Sequence, residues 1–147
     1  FHIGHYNLFM AYSHLGHDSI VGDHCIFANQ VSIAGHVHIG NRVTFGGHCA
    51  IHQFVTIGQL AFIAANAMVN GDVPAFCLVV GDRAKLKGLN TVGLRRSNIT
   101  SQVRFILKKA YKYANNLEIK ILRKLKKHGN KAKELSNIVQ YILKRQT

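Results

Sequence analysis

The sequence predicts a β-solenoid, a parallel β-helix with three short faces per coil, followed by an α-helical segment. Three observations predict it. Every sixth residue from Ile3 is large and apolar: Ile3, Phe9, Leu15, Val21, Phe27, Ile33, Ile39, Phe45, Ile51, Ile57, Ile63 and Val69. The pairs Ile3-Gly4, Val21-Gly22, Ile39-Gly40 and Ile57-Gly58 recur at a spacing of 18, so three hexads make one coil. From Ser97 onward the period becomes that of a helix. An ordinary β-sandwich would alternate with period two and would not stay phase-locked from Ile3 to Val69.

In each hexad the large aliphatic points into the prism and stacks on its counterparts in the coils above and below. A small residue at the turn usually follows it, as at Gly16, Ala28, Ala34 and Gly46, and the residue two before is often Val, Cys, Ser or Ala. Eighteen residues advance the chain by one coil, so positions i and i+18 lie on neighbouring strands about 4.8 Å apart, and sequence distance becomes a stacking map. The pattern resembles the left-handed hexapeptide-repeat class, a left-handed parallel β-helix. The repeat region is residues 1–72. It stops at Asp72-Val73-Pro74, where proline removes a ladder donor. Residues 73–96 read as a connecting loop with an extended stretch, Cys77 to Val80. Residues 97–147 read as a C-terminal α-helical domain. Its first helix follows a cap-rich start, Ser97 to Ser101, with Val103, Ile106, Leu107, Ala110, Ala114 and Leu117 on one face. A second helix runs from about Asn116 to Lys127, before Gly129, and a third from about Lys131 to Arg145. These helices are expected to cover the C-terminal edge of the stack. The edge at Phe1 has no such cover and the chain does not start with Met, so coils are expected ahead of it.

At 147 residues the chain is one domain plus an appendage, and 48% hydrophobic content with a single Pro excludes disorder. No apolar run approaches the roughly 18 residues of a membrane span and no signal peptide is evident, which predicts no transmembrane segment and a cytoplasmic protein. Cys25, Cys49 and Cys77 are odd in number and lack CxxC spacing, so they read as reduced packing residues. The net charge of +13 resolves by position. Residues 1–82 hold Arg42 against Asp18, Asp23, Asp72 and Asp82, whereas residues 83–147 hold 18 basic residues against Glu118 and Glu134. Histidine is skewed the other way, with nine of ten in residues 1–52.

The stacking map gathers these histidines. His17 lies below Gly35 and Gln53, Asp18 below His36, and Gly16 below Ala34 and His52, with His14 three residues before His17. Any one of them alone reads as a solvated corner residue. As a group, His14, His17, Asp18, His36, His52 and Gln53 mark a candidate active site at one corner of three successive coils. Metal is the competing reading, but no Cys or Glu joins the group and coil spacing does not by itself supply tetrahedral geometry, so neither metal nor cofactor is expected. His2, His5, His24, His38, His48 and His128 read as surface residues.

The run Asn7-Leu8-Phe9-Met10-Ala11-Tyr12-Ser13-His14-Leu15-Gly16-His17-Asp18 resembles the H-x-x-H-D segment of the UDP-N-acetylglucosamine O-acyltransferase family, which opens lipid A synthesis. Ala34-Gly35-His36, Ala50-Ile51-His52-Gln53-Phe54, Asp72-Val73-Pro74 and Gly88-Leu89-Asn90-Thr91-Val92-Gly93-Leu94-Arg95-Arg96 agree in order and spacing. The resemblance thins after Ser101. It implies transfer of a 3-hydroxyacyl chain from acyl carrier protein to the glucosamine 3-hydroxyl of UDP-N-acetylglucosamine, in a homotrimer with clefts between subunits. The thioester is already activated, so the reaction needs a base and an oxyanion donor but no enzyme nucleophile. The resemblance assigns the base to His17, its orientation to Asp18 and the oxyanion donor to the Gly35 N–H. His14, His36, His52 and Gln53 map to sugar-nucleotide or cleft positions, and Asn90 and Arg96 to nucleotide recognition. Ser97 stands where the family often continues with a basic residue, so the phosphate contact falls on Arg95 or Arg96. Ala65 matches the acyl-length position, where long-chain enzymes have Gly.

Alternatives within this fold are the sister N-acyltransferase and a coenzyme A-dependent acetyltransferase, and the Asn90–Arg96 and His52-Gln53-Phe54 segments argue against both. A different class takes Lys108, Lys109, Lys112, Lys120, Lys124, Lys126, Lys127, Lys131 and Lys133 as a nucleic-acid or acidic-membrane surface. Docking of an acidic carrier protein accounts for the same charge, and no nucleic-acid partner is expected.

Overall fold

A computed structural model describes residues 2–126. The hexads become twelve two-residue strands: β1 (His2–Ile3), β2 (Leu8–Phe9), β3 (His14–Leu15), β4 (Ile20–Val21), β5 (Ile26–Phe27), β6 (Ser32–Ile33), β7 (His38–Ile39), β8 (Thr44–Phe45), β9 (Ala50–Ile51), β10 (Thr56–Ile57), β11 (Phe62–Ile63) and β12 (Met68–Val69). Every third strand joins one of three parallel sheets, ordered β1-β4-β7-β10, β2-β5-β8-β11 and β3-β6-β9-β12. The register pairs i with i+18, as in Ile3 with Val21 and Ile33 with Ile51. The architecture is the left-handed parallel β-helix that the period predicts.

From Ser19 onward each hexad buries two side chains. The large one, from Val21 through Ile33, Phe45 and Ile57 to Val69, is at most 4% exposed, and so is the smaller one two residues earlier, from Cys25 and Val31 to Ala61 and Ala67. Phe9, Phe27 and Phe45 stack nearly parallel at centroid separations of 4.4 and 4.7 Å. Complete burial of such a ring contributes about 1.5–3 kcal/mol. Burial pushes the Cys49 thiol up to about 12 and the Cys77 thiol up to about 11, and raises Cys25 as well. All three cysteines are free and, being protonated at neutral pH, serve as packing residues. In the first coil Ile3 and Phe9 remain 41% and 39% exposed.

The corners correct one detail of the sequence reading. The residue that turns the chain is not the small one after the aliphatic but the residue two further on. From Tyr6 through Asp18, His36 and Phe54 to Asn66, one non-glycine residue in every six has φ between 56° and 64°. Left-handed backbone costs such a residue roughly 1–2 kcal/mol, and corner hydrogen bonds hold it there. Asn7 Nδ2 donates to the carbonyls of Gly4 and Gly22, and its Oδ1 accepts from the Cys25 N–H. The buried Ser19 hydroxyl donates to the Ala34 carbonyl and accepts from the Val37 N–H. The small residues instead admit the next coil: a Cβ on Gly4 would lie 2.8 Å from the Gly22 carbonyl carbon.

The stretch read as a loop is more ordered than expected. After Val73, which bridges to Ile57, β13 (Cys77–Val80) adds parallel to β11, and β14 (Lys85–Leu89) returns antiparallel to β13. Helix α1 (Thr91–Arg96) follows and buries Leu94 to 1% exposure. The predicted helix boundaries also shift. Ser97 caps the end of α1, and α2 runs unbroken over Ser101–Lys126, without the predicted division near Asn116. No Gly or Pro lies between Ser101 and Lys126 to interrupt its hydrogen-bond ladder. Among the residues of its predicted apolar face whose side chains are described, only Leu107 is half-buried, alongside Arg104 and Tyr111 elsewhere on the helix, whereas Val103, Ile106, Ala110 and Ala114 are exposed. The helix leans on β14 and the core through Tyr111, which turns the rest of that face outward. The predicted third helix and His128 lie outside the described residues. Among the described residues no helix is long and apolar enough to cross a membrane.

Candidate active site

The corner that joins β3 to β4, β6 to β7 and β9 to β10 stacks Gly16-His17-Asp18, Ala34-Gly35-His36 and His52-Gln53-Phe54. Asp18, His36 and Phe54 occupy its left-handed positions, with φ of 57°, 59° and 64°, and their side chains form one column. His36 stacks on Phe54 at 4.9 Å, and the His17 ring meets His36 edge-on at 5.0 Å. Asp18 Oδ2 lies 2.9 Å from His17 Nδ1 and 3.8 Å from His36 Nε2. An ionised carboxylate only accepts, so His17 Nδ1–H donates to it, and the neutral ring then keeps its lone pair on Nε2.

The hydrogen bond from His17, above all, holds the Asp18 carboxyl below its usual 3.8, with the charges of His36 and His17 adding to it against a partly opposing desolvation. A lowered value means that the carboxylate is ionised, and the pair intact, above the usual carboxylate range, and that the pair is lost only as pH falls through the lowered value. With side chains 76% and 64% exposed, the pair orients an imidazole and adds little to stability.

Gly35 is needed at its position. A Cβ there would lie 2.8 Å from His17 Nε2 and 2.9 Å from Cε1, so any side chain would displace the ring. The Gly35 N–H donates no hydrogen bond among the described residues, although its carbonyl accepts from the Phe54 N–H. Beneath it the buried Gly16 does the complementary service, because a Cβ on Gly16 would lie 2.6 Å from Gly35 N. Two bare glycines therefore leave an unpaired N–H donor and an imidazole lone pair open on one corner.

Beside this corner, the outer face of the β3-β6-β9-β12 sheet carries a mostly apolar groove of about 500 Å³, lined by His14, Ser32, Ala34, Ala50, His52, Met68, Asn70 and Arg83. The His52 Nδ1–H donates to the Gln53 carbonyl at 3.2 Å, and Gln53 itself is exposed at the corner. The sequence reading missed most of this lining. Ser32, Ala50 and Met68 were accessible to it as the i+18 ladder above His14, whereas Arg83 arrives only through the hairpin between β13 and β14. Ala65 is exposed at the corner between β11 and β12, off the groove lining.

Asn90, Arg95 and Arg96 are not brought to the histidine cluster. Arg96 lines a second cleft of about 580 Å³ on the outer face of the β2-β5-β8-β11 sheet, with His24, Arg42, Thr44, Phe62 and Leu78, and among the described residues no acidic side chain lines it. Arg95 is exposed outside that lining. Asn90 reaches the cleft but is only 8% exposed. Its Nδ2 donates to the Leu60 carbonyl and its Oδ1 accepts from the Gly93 N–H as the N-cap of α1, so it also fixes the helix that carries Arg96. His24 and Arg42, read as isolated surface residues or not singled out, are the cleft's further basic groups.

Residues 72–147 match the family model described as UDP-N-acetylglucosamine O-acyltransferase, domain 2, and residues 2–35 match that of the bacterial transferase hexapeptide. The chain is 49% identical over 110 residues to an acyl-acyl-carrier-protein–UDP-N-acetylglucosamine O-acyltransferase of Anaeromyxobacter sp. (strain Fw109-5), and 40% identical to that of Pseudomonas aeruginosa (strain LESB58). Each match covers 75% of this chain and 43% of the relative. Among solved structures it is similar to the UDP-N-acetylglucosamine acyltransferases of Campylobacter jejuni, with 32% identity and a TM-score of 0.76 over 94% of this chain and 56% of that one, and of Arabidopsis, with 41% identity and 0.72 over 74% and 38%.

Proposed function

The chain belongs to the UDP-N-acetylglucosamine O-acyltransferase family, and on that premise we propose that it carries the catalytic corner of an enzyme that moves a 3-hydroxyacyl chain from acyl carrier protein to the glucosamine 3-hydroxyl of UDP-N-acetylglucosamine, the first step of lipid A synthesis. The observation that carries the proposal is the open corner: the His17 Nε2 lone pair against Gly35, with the Gly35 N–H unpaired. As the sugar oxygen attacks the thioester carbonyl, its proton passes to His17 Nε2. The Gly35 N–H receives the charge that develops on the carbonyl oxygen. Collapse breaks the carbon–sulfur bond, and the proton on Nε2 goes to the departing thiolate, so the ester and free thiol leave with no covalent enzyme intermediate. Asp18 keeps the Nδ1–H tautomer and stabilises the imidazolium.

The apolar groove suits the acyl chain, with His14 and His52 in its lining and His36 and Gln53 on the adjoining corner, where they are proposed to meet the sugar nucleotide. Ala65, off that lining, is proposed as the chain-length position for a chain that runs past the groove to the corner between β11 and β12. Arg96, rather than Arg95, is proposed for the nucleotide phosphate because it lines this basic cleft and Arg95 does not. That cleft and the histidine corner lie on different faces of one prism, so both can serve one ligand only if a neighbouring subunit supplies the second wall. This supports a homotrimer, and sedimentation of a fully active monomer would refute it. The exposed Lys108, Lys109 and Lys112 on α2 suit the acidic carrier protein.

His17→Ala tests the assignment of the base. It is expected to lower kcat by about 10²–10⁴-fold while the KM for the sugar nucleotide stays within about twofold. Retention of more than about a tenth of the rate would move the base elsewhere in the cluster.

A further inference from the structure

The corner also brings together what a transition-metal cation needs. One donor atom each from His17, Asp18 and His36 lies within 4.8 Å of the others, with 2.9 Å between His17 Nδ1 and Asp18 Oδ2 and 3.8 Å from Asp18 Oδ2 to His36 Nε2. A tetrahedral zinc ion with bonds of about 2.0–2.1 Å holds its ligand atoms roughly 3.3 Å apart, so small side-chain rotations suffice. The left-handed backbone at Asp18 and His36 aims the carboxylate of one coil and the imidazole of the next at the same point. All three side chains are exposed, so a cation can reach them and a fourth position remains for water.

We infer that His17, Asp18 and His36 form a binding site for a borderline divalent transition cation, with Zn²⁺ the best match to two imidazoles and a carboxylate. The cation takes the place of the hydrogen bond between His17 Nδ1 and Asp18. A neutral imidazole bound through Nδ1 carries its proton on Nε2, so the proton moves from one ring nitrogen to the other and no net proton is released from His17. The Nε2 lone pair that faces Gly35 is lost. Metal binding follows from the donor geometry alone. That it blocks turnover rests on the assignment of His17 as the base, and the two can fail separately.

Calorimetric titration of the chain with Zn²⁺, and Co²⁺ absorption as a report of nitrogen and oxygen ligands, test the site. His36→Asn and Asp18→Asn are suitable variants because Asn tolerates the left-handed backbone, and His38→Gln controls for exposed histidines elsewhere. One Zn²⁺ per chain is expected, with at least tenfold weaker binding in His36→Asn and Asp18→Asn and less than a twofold change in His38→Gln. Absence of binding up to about 1 mM Zn²⁺, or affinity unchanged in His36→Asn, would overturn the site. For each enzyme the rate with zinc is compared with its own rate without it. Loss of rate in parallel with occupancy of the corner supports both readings, whereas occupancy without inhibition sustains the metal site and removes His17 as the base.

Discussion

Between Val21 and Val69 the fate of a side chain is decided by its place in a hexad, whereas along α2 it is decided by a few neighbours. Phe45 in the stack is fully buried and sandwiched by rings and aliphatics, while Phe105 on α2 is 58% exposed and its ring meets the Lys109 ammonium at 4.5 Å. The two residues are chemically identical, so residue type does not explain the contrast. A repeat places every residue between copies of itself and satisfies its own packing, whereas α2 leans on one hairpin and, over Ser101–Ala114, leaves most of its described side chains exposed. The consequence reaches function, because the self-sufficient region can hold a preorganised corner such as His17-Asp18, and the described part of α2 presents exposed basic and apolar side chains instead.

The contrast makes three measurements informative. The largest effect belongs to Phe45→Ala, which removes the top ring of the Phe9-Phe27-Phe45 stack and should lower unfolding stability by about 3–5 kcal/mol. A cost under about 1 kcal/mol in chemical denaturation would mean that the coils relax around cavities and that the repeat is softer than its register implies. Reversing Lys108, Lys109 and Lys112 to Glu should act on recognition instead. The expected result is a several-fold higher KM for acyl carrier protein, a weaker salt dependence and an unchanged sugar-nucleotide KM. If carrier-protein kinetics were untouched, and the chain held polynucleotide with a steep dependence on salt, the basic helix would belong to a different partner. Phe105→Ala should have the smallest effect, within about 0.5 kcal/mol on stability. A loss comparable to that of Phe45 would show that α2 is packed in solution more tightly than its exposure indicates.

Much of this was readable in residue order, for reasons that differ by residue. Ile33 was identifiable as core because Val21, Ile39, Ile51 and Ile57 share its phase, and the i+18 rule placed Asp18 beneath His36 and His17 beneath Gly35 before any coordinate. Asn90 illustrates the limit of motif matching. Its motif points to nucleotide recognition, and the fold adds that its amide caps α1 and holds the Leu60 carbonyl. The hairpin after Val80 left a signal in Gly81-Asp82 and the alternation of Lys85, Leu86 and Lys87 that the loop reading passed over. Helix α1, six residues long, is too short for periodicity to reveal.

What the sequence determined by itself is therefore the coil, its register and the membership of the histidine corner, because in a repeat that advances one coil for every 18 residues, sequence separation is spatial separation. Tertiary structure alone decided three things: which ring nitrogen of His17 faces Gly35, that Arg83 joins the groove, and that Asn90 and Arg96 open onto a different face. Each depends on a side-chain torsion or on a segment outside the repeat, where distance along the chain no longer measures distance in space.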